Sequence, residues 1–140
     1  MNSFAIIICL SLALWPFALQ RGSALAQQME VVIGGELEYQ TSCAVCHGVD
    51  ARGQGIMARH LTMRPSNLRH LAQRSGGKFP FWEVYRVIEG SGVVPGHGSR
   101  EMPIWGDRFR ADAGADGKSA QTQAAGRILS LVFYLEHIQE

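Results

Sequence analysis

The sequence predicts an all-α domain, a small bundle of about four short helices joined by long loops. Three observations carry that expectation. Apolar residues recur at helical spacing in two stretches, Phe81, Val84, Tyr85 and Ile88, then Ile128, Leu131, Val132, Leu135 and Ile138. Start and stop residues bracket such runs, as Pro80 and Gly90 do around the first. No stretch sustains the two-residue alternation of a half-buried strand.

The elements follow in chain order. Residues 4 to 19, "FAIIICLSLALWPFAL", form an uncharged apolar run, short for a membrane span and interrupted by Trp15-Pro16. Ala24 and Ala26 then make an A-x-A pattern, so residues 1–26 read as a signal peptide, with Cys9 leaving as part of it. The first basic residue, Arg21, follows the run rather than preceding it, so a retained anchor is the alternative.

Residues 27–140 then form one domain. Its first helix is expected from Gly34-Gly35 through "GGELEYQTSCAVCHG", stopping at Gly48. Residues 51 to 65, rich in Gly and Arg and ending at Pro65, read as a loop. Ser66 or Asn67 can cap a short helix carrying Leu68 and Leu71, ended by Gly76-Gly77. Pro80 fits the first turn of the next, because its missing N–H would have no partner there. Residues 90 to 119, with seven glycines, two prolines and no period, read as a long loop with at most a short helical turn. The strongest helix is the last, "QTQAAGRILSLVFYLEHIQ". Phe81 and Trp82 are expected in the core.

Charge excludes one class of function. Residues 27–140 hold twelve acidic and twelve basic side chains, whereas a nucleic-acid-binding domain would be basic overall. The distribution is uneven: Arg52, Arg59, Arg64, Arg69, Arg74, Lys78 and Arg86 face only Glu83 over residues 51 to 86. That basic middle can be solvated surface, face a partner, or neutralise an acidic group held inside the protein.

Four short helices and two long loops make a thin core. Long loops in a small domain make sense when they wrap something. The residues that could hold it are in "TSCAVCHGVDARGQG". Cys43, Cys46 and His47 form Cys-x-x-Cys-His, the attachment pattern of c-type haem. Two thiols on one helical turn match the separation of the porphyrin's vinyl groups, and the next residue lies under the iron. Other uses of Cys-x-x-Cys require more. Zinc needs a second ligand pair, and His60, His70, His97 and His137 offer no such spacing. A dithiol redox site needs a βαβ setting, and a disulfide over so short a loop constrains little.

Met102, in "REMPIWG", lies 55 residues after His47, far enough to reach the opposite face of a haem, with Pro103 stiffening its approach. Met57 and Met63 follow His47 too closely and are expected to pack in the core. His60, His70 and His97 are the alternative sixth ligands, His97 foremost because it shares the loop of Met102. Arg64, Asn67, Arg100 and Trp105 are candidate partners for the haem propionates.

These motifs resemble a class I cytochrome c of the bacterial periplasmic, single-haem kind over nearly all of residues 27–140. Gly35 and Tyr39 match its Gly-x-x-x-aromatic, and Gly53-Gln54-Gly55 its glycine turn. Met102-Pro103 with Trp105-Gly106 matches the axial-methionine loop, and Tyr134 the aromatic that packs on the N-terminal helix. Two features depart from the family. Ile56 and Met57 stand where a proline often supplies the carbonyl that receives the proximal histidine's N–H, and a lysine docking ring is missing, since only Lys78 and Lys118 follow residue 26.

The resemblance implies a bundle wrapped around one covalent haem c, with His47 and Met102 as iron ligands. It implies a non-enzymatic electron carrier in the periplasm, serving a respiratory or dehydrogenase-linked chain. Its partners would be redox proteins: a dehydrogenase or cytochrome complex as donor, an oxidase or reductase as acceptor. The membrane would be met only through partners unless the N-terminal segment is kept. The alternatives are a dedicated haem subunit of a dehydrogenase or oxidase, and a haem sensor with an open sixth site.

Overall fold

A computed structural model of the 140-residue chain describes residues 15–92, 102–114 and 117–140, with side chains from residue 24 onward. Arg100, His97 and the first fourteen residues of the expected signal segment, Cys9 included, lie outside the described residues. Among the described residues the chain is all-α, with no strand. Contacts divide it into two units, Met1–Glu30 and Val31–Glu140. In the first, the backbone is helical from Trp15, and residues 24–30 are all exposed. No described helix is long and apolar enough to cross a membrane.

Among the described residues six α-helices follow in order: α1 (Trp15–Ser42), α2 (Ala44–His47), α3 (Leu71–Arg74), α4 (Phe81–Glu89), α5 (Trp105–Asp112) and α6 (Lys118–His137). Single 3₁₀ turns cover Ala58–His60 and Leu68–His70. Two elements differ from expectation. α1 begins at Trp15 rather than near Gly34, so the boundary expected after Ala26 falls inside helical backbone. The stretch read as loop over residues 90 to 119 contains α5, whose Trp105 and Phe109, one helical turn apart, face the core.

In the second unit, α4, α5 and α6 pack on one another. Tyr39 from α1, Phe109 from α5 and Ile128, Leu131 and Val132 from α6 are fully buried. The N-terminal helix meets α6 where Gly35 has no side chain. A Cβ there would overlap the Ser130 carbonyl and stand 2.9 Å from the Tyr134 Cβ. One turn on, the rings of Tyr39 and Tyr134 pack at 5.3 Å. The expected pairing of Gly35, Tyr39 and Tyr134 is therefore present.

An ion pair closes the same interface. Arg127 donates to both Glu38 oxygens, at 2.8 and 3.1 Å, and its guanidinium lies 3.8 Å from the Phe109 ring centre. Burial pushes the Glu38 carboxyl up, but the hydrogen bonds from Arg127 and Ser42 with the charge of Arg127 outweigh it, leaving its pKa below the ordinary value. A depressed folded-state pKa stabilises above the unfolded value and loses that contribution as pH falls through the folded one. Thermal melts of wild type should therefore drop below about pH 4, and Glu38→Gln should flatten that acid limb. An unchanged limb in the variant would remove Glu38 from the account of acid stability.

Two apolar side chains expected inside are outside. Trp82 is 63% exposed, because α4 turns Val84 and Ile88 inward and Trp82 away. Met57 is 41% exposed, at the start of the Ala58–His60 turn. Phe81 does pack against the core, and Met63 is partly buried.

Candidate functional site

The Cys43–His47 segment is built as a helical continuation beyond α1. Cys43 N–H donates to the Tyr39 carbonyl at 2.9 Å, and Cys46 and His47 N–H both donate to the Cys43 carbonyl. Gly48, at φ 85°, ends the turn, and its carbonyl accepts from the Tyr39 hydroxyl at 2.6 Å. All three candidate ligands of the motif are thereby fixed to one turn anchored in the core.

The glycine turn behind it holds a close backbone crossing. Gly53 N–H donates to the His47 carbonyl at 2.7 Å. Its φ of 78° suits glycine, and any Cβ would overlap the Pro65 carbonyl. This crossing brings the segment after Pro65 over the histidine. His47 Nδ1 then lies 3.1 Å from the Ser66 carbonyl oxygen. A carbonyl only accepts, so Nδ1 carries the proton and Nε2 keeps the lone pair. Ser66 thus supplies the acceptor that Ile56 and Met57 do not, from directly after Pro65. Burial holds His47 below the ordinary imidazole pKa, and the Ser66 hydrogen bond offsets part of that, which favours the neutral ring.

Cys43 and Cys46 are both free thiols. Burial pushes the Cys43 thiol up to about 12, and the negative charge of Glu38 adds to it. Thiol–disulfide exchange needs the reverse, a thiol lowered toward neutrality. Among the described residues no group of three or more His, Cys, Asp and Glu side chains gathers as a metal-ion site.

Met102 and Trp105 are partly buried, and both pack against the core cluster that Cys43 touches. Leu68, Leu71, Phe79, Phe81 and Tyr85 pack on that cluster in the same half-buried way. Trp105 opens α5, with the Phe109 ring at 5.4 Å and the Arg108 guanidinium at 5.3 Å. Arg64 is exposed and has no ion pair or hydrogen bond to a described residue. Asn67 is the cap of the Leu68–His70 turn. Its Oδ1 accepts from Arg69 N–H at 3.0 Å, and its amide nitrogen lies 3.4 Å from His70 Nδ1. The charge-bearing middle is partly consumed internally, since Arg52 and Arg69 both donate to Glu140 at 2.7 Å.

Sequence reasoning missed two groups that bear on the site: the Ser66 carbonyl, which has no side-chain signature, and an apolar rim. Val45, Val49, Ile56 and Met57 are exposed around the cysteine–histidine turn, Val49 by 74% and Ile56 by 69%. Met57 N–H donates to the Val45 carbonyl at 2.9 Å, which joins the two ends of this rim. The apolar residues within and after the motif, Val45, Val49, Ile56 and Met57, were the available signal. Comparison with protein-family models, with curated proteins and with solved structures found no match.

Proposed function

We propose that the protein is a single-electron carrier of the class I cytochrome c type. It would hold one covalent haem c between His47 and Met102 and serve a periplasmic respiratory or dehydrogenase-linked chain. One observation carries this reading: two free thiols and a histidine share one helical turn, and the Ser66 carbonyl ties Nδ1–H, which leaves the Nε2 lone pair for an iron.

The donor set fits the group. Cys43 and Cys46 would hold it as thioethers and His47 would bind from the near side. Met102 offers a thioether in the loop before α5. Leu68, Leu71, Phe79, Phe81, Tyr85 and Trp105 offer apolar surface to cover it. When bound, the haem supplies one-electron chemistry, its iron alternating between Fe(III) and Fe(II). The chain's residues set the terms of that exchange. As a ligand, Met102 sulfur would favour the less charged state, as would the apolar walls, and both would raise the potential. If His47 and Met102 both bound the iron, they would leave no open place for a substrate. Arg64, Arg100, Trp105 and Asn67 remain the candidates for the propionates, Asn67 with its polar atoms already engaged in the cap.

The test is the visible spectrum of the exported protein, oxidised and reduced. A c-type haem spectrum with the weak far-red band of methionine bound to ferric iron is expected. Met102→Ala should abolish that band and lower the potential by on the order of 0.1–0.3 V, part of the roughly 0.8 V that axial ligands span. A haem spectrum without the band in wild type would remove Met102 and favour a sensor or catalytic site.

The exposed rim of Val45, Val49, Ile56 and Met57 favours a second reading, a haem subunit held permanently by one dehydrogenase or oxidase. Co-purification with a single enzyme at stoichiometric yield would select it over a freely diffusing carrier.

A further inference from the structure

The last two residues of the chain reach back to the segment that orders the histidine. Gln139 Oε1 accepts from Ala72 N–H at 2.9 Å, and Gln139 Nε2 donates to the Leu68 carbonyl at 2.8 Å. Glu140 N–H donates to the Arg69 carbonyl at 2.9 Å. The Glu140 carboxylate takes Arg69 Nε and an Arg52 amino group on one oxygen, both at 2.7 Å, with His70 Nε2 at 3.4 Å from the other. Arg52 belongs to the glycine turn that follows His47, and Arg69 to the 3₁₀ turn that follows Ser66. One carboxylate therefore ties together the two strands of backbone that cross beside the histidine.

The rest of the crossing is backbone. Leu68 N–H donates to the Ala51 carbonyl at 2.8 Å, and Gly53 packs on the Pro65 carbonyl. Ala51, the only described non-glycine residue in the left-handed region, at φ 61°, sits in this crossing. It has no side-chain reason to hold that conformation, so the hydrogen bonds around it must. Between Ser66 and the C-terminal contacts only Asn67 intervenes. The position of the Ser66 carbonyl, and with it the strength of the bond from His47 Nδ1–H, depends on how firmly residues 68–72 are held.

We infer that Gln139 and Glu140 form a C-terminal latch that positions the Ser66 carbonyl against His47 and thereby sets the electron-donating strength of His47 toward the iron. The inference rests on the haem reading above. Both are positioning residues, acting through Ser66. A firm Nδ1–H bond makes the imidazole a more basic ligand. A more basic ligand favours the more charged Fe(III), so the latch holds the reduction potential down.

The experiment uses the exported, haem-loaded full chain as wild type, Gln139→Ala/Glu140→Ala and, as a milder variant, Glu140→Gln. The Ala72 amide and the His47 Nδ1–H are followed by hydrogen exchange, and the potential by redox titration. Loss of these side-chain bonds should speed exchange at Ala72 and at His47 Nδ1–H by about tenfold. The potential should shift upward, with covalent haem content and the far-red band retained. Glu140→Gln should show a smaller shift of the same sign, and it carries the test if the double variant does not accumulate. Faster exchange at Ala72 with His47 exchange and potential unchanged would overturn the latch while leaving the haem reading intact. A colourless wild type would overturn both, and that result appears before any variant is measured.

Discussion

Cys43→Ser/Cys46→Ser should reduce covalently held haem in the exported protein to background. A serine oxygen cannot form the thioether, and both thiols lie on the one turn that presents His47. Each single variant should retain haem through the remaining sulfur. The effect should extend to stability. The described core is built mainly from α1, α5 and α6, while Leu68, Leu71, Phe79, Phe81, Tyr85, Met102 and Trp105 stay half-buried against it. On the proposed reading, a bound haem would cover these half-buried side chains and add to the stability of a small domain. The double variant is therefore expected to lose its cooperative thermal transition or to melt far below wild type. Acid–acetone extraction of the purified proteins checks the attachment, and circular dichroism the melting. Haem that resists extraction from the double variant would contradict the assignment of both cysteines.

The second large effect separates two neighbours. Gly35→Ala should destabilise the protein by about 3 kcal/mol, because its Cβ would meet the Ser130 carbonyl, a backbone group that cannot move alone. For a domain near this length that corresponds to a melting temperature roughly 10–20 °C lower. Gly34→Ala, one residue away on the same helix, has nothing within 4 Å of its Cβ. It should stabilise by up to about 1 kcal/mol through helix propensity. Opposite signs at adjacent glycines would establish the α1–α6 contact. Equal effects would mean that the helices do not cross there.

The parts of the molecule that were legible in the sequence are those written in periodicity or in special residues. α4 and α6 carry their apolar faces at helical spacing, so their existence could be read directly. Gly35, Tyr39 and Tyr134 were legible only through the resemblance to class I cytochromes c, whose terminal-helix pattern they match. The end of the first helical stretch at Gly48 was legible from that glycine. What was not legible is equally specific. α5 holds only Trp105 and Phe109 as large apolar residues, too few to show a period against glycine-rich flanks. The N-terminal extension of α1 lies in the stretch read as a signal peptide, where Pro16 in the first turn was the available start signal. Trp82 and Met57 look like core residues by type, but burial depends on which face a helix or turn presents, and that is decided by tertiary packing. The acceptor for His47 is a backbone carbonyl nineteen residues away, and the Glu140 contacts join exposed charges across 71 and 88 positions. Neither leaves a local pattern, because any residue has a carbonyl and any surface has charges.

Arg52 and Arg69 also change the reading of the basic middle. Two of its cations are committed to Glu140, while Arg74 donates to the Asn67 carbonyl at 2.8 Å. The uneven charge of residues 51 to 86 is thus partly internal structure, organised around the segment that bears Ser66.

The most direct measurement is the intact mass of the full-length gene product, exported by a host that matures c-type cytochromes and denatured in acid before weighing. A covalent haem survives that treatment, whereas a dissociable one does not. The expected result is a red protein whose mass exceeds that of its polypeptide by one haem. A colourless protein at the bare polypeptide mass, from a host that loads another c-type cytochrome in parallel, would contradict the assignment of Cys43, Cys46 and His47 as a haem site.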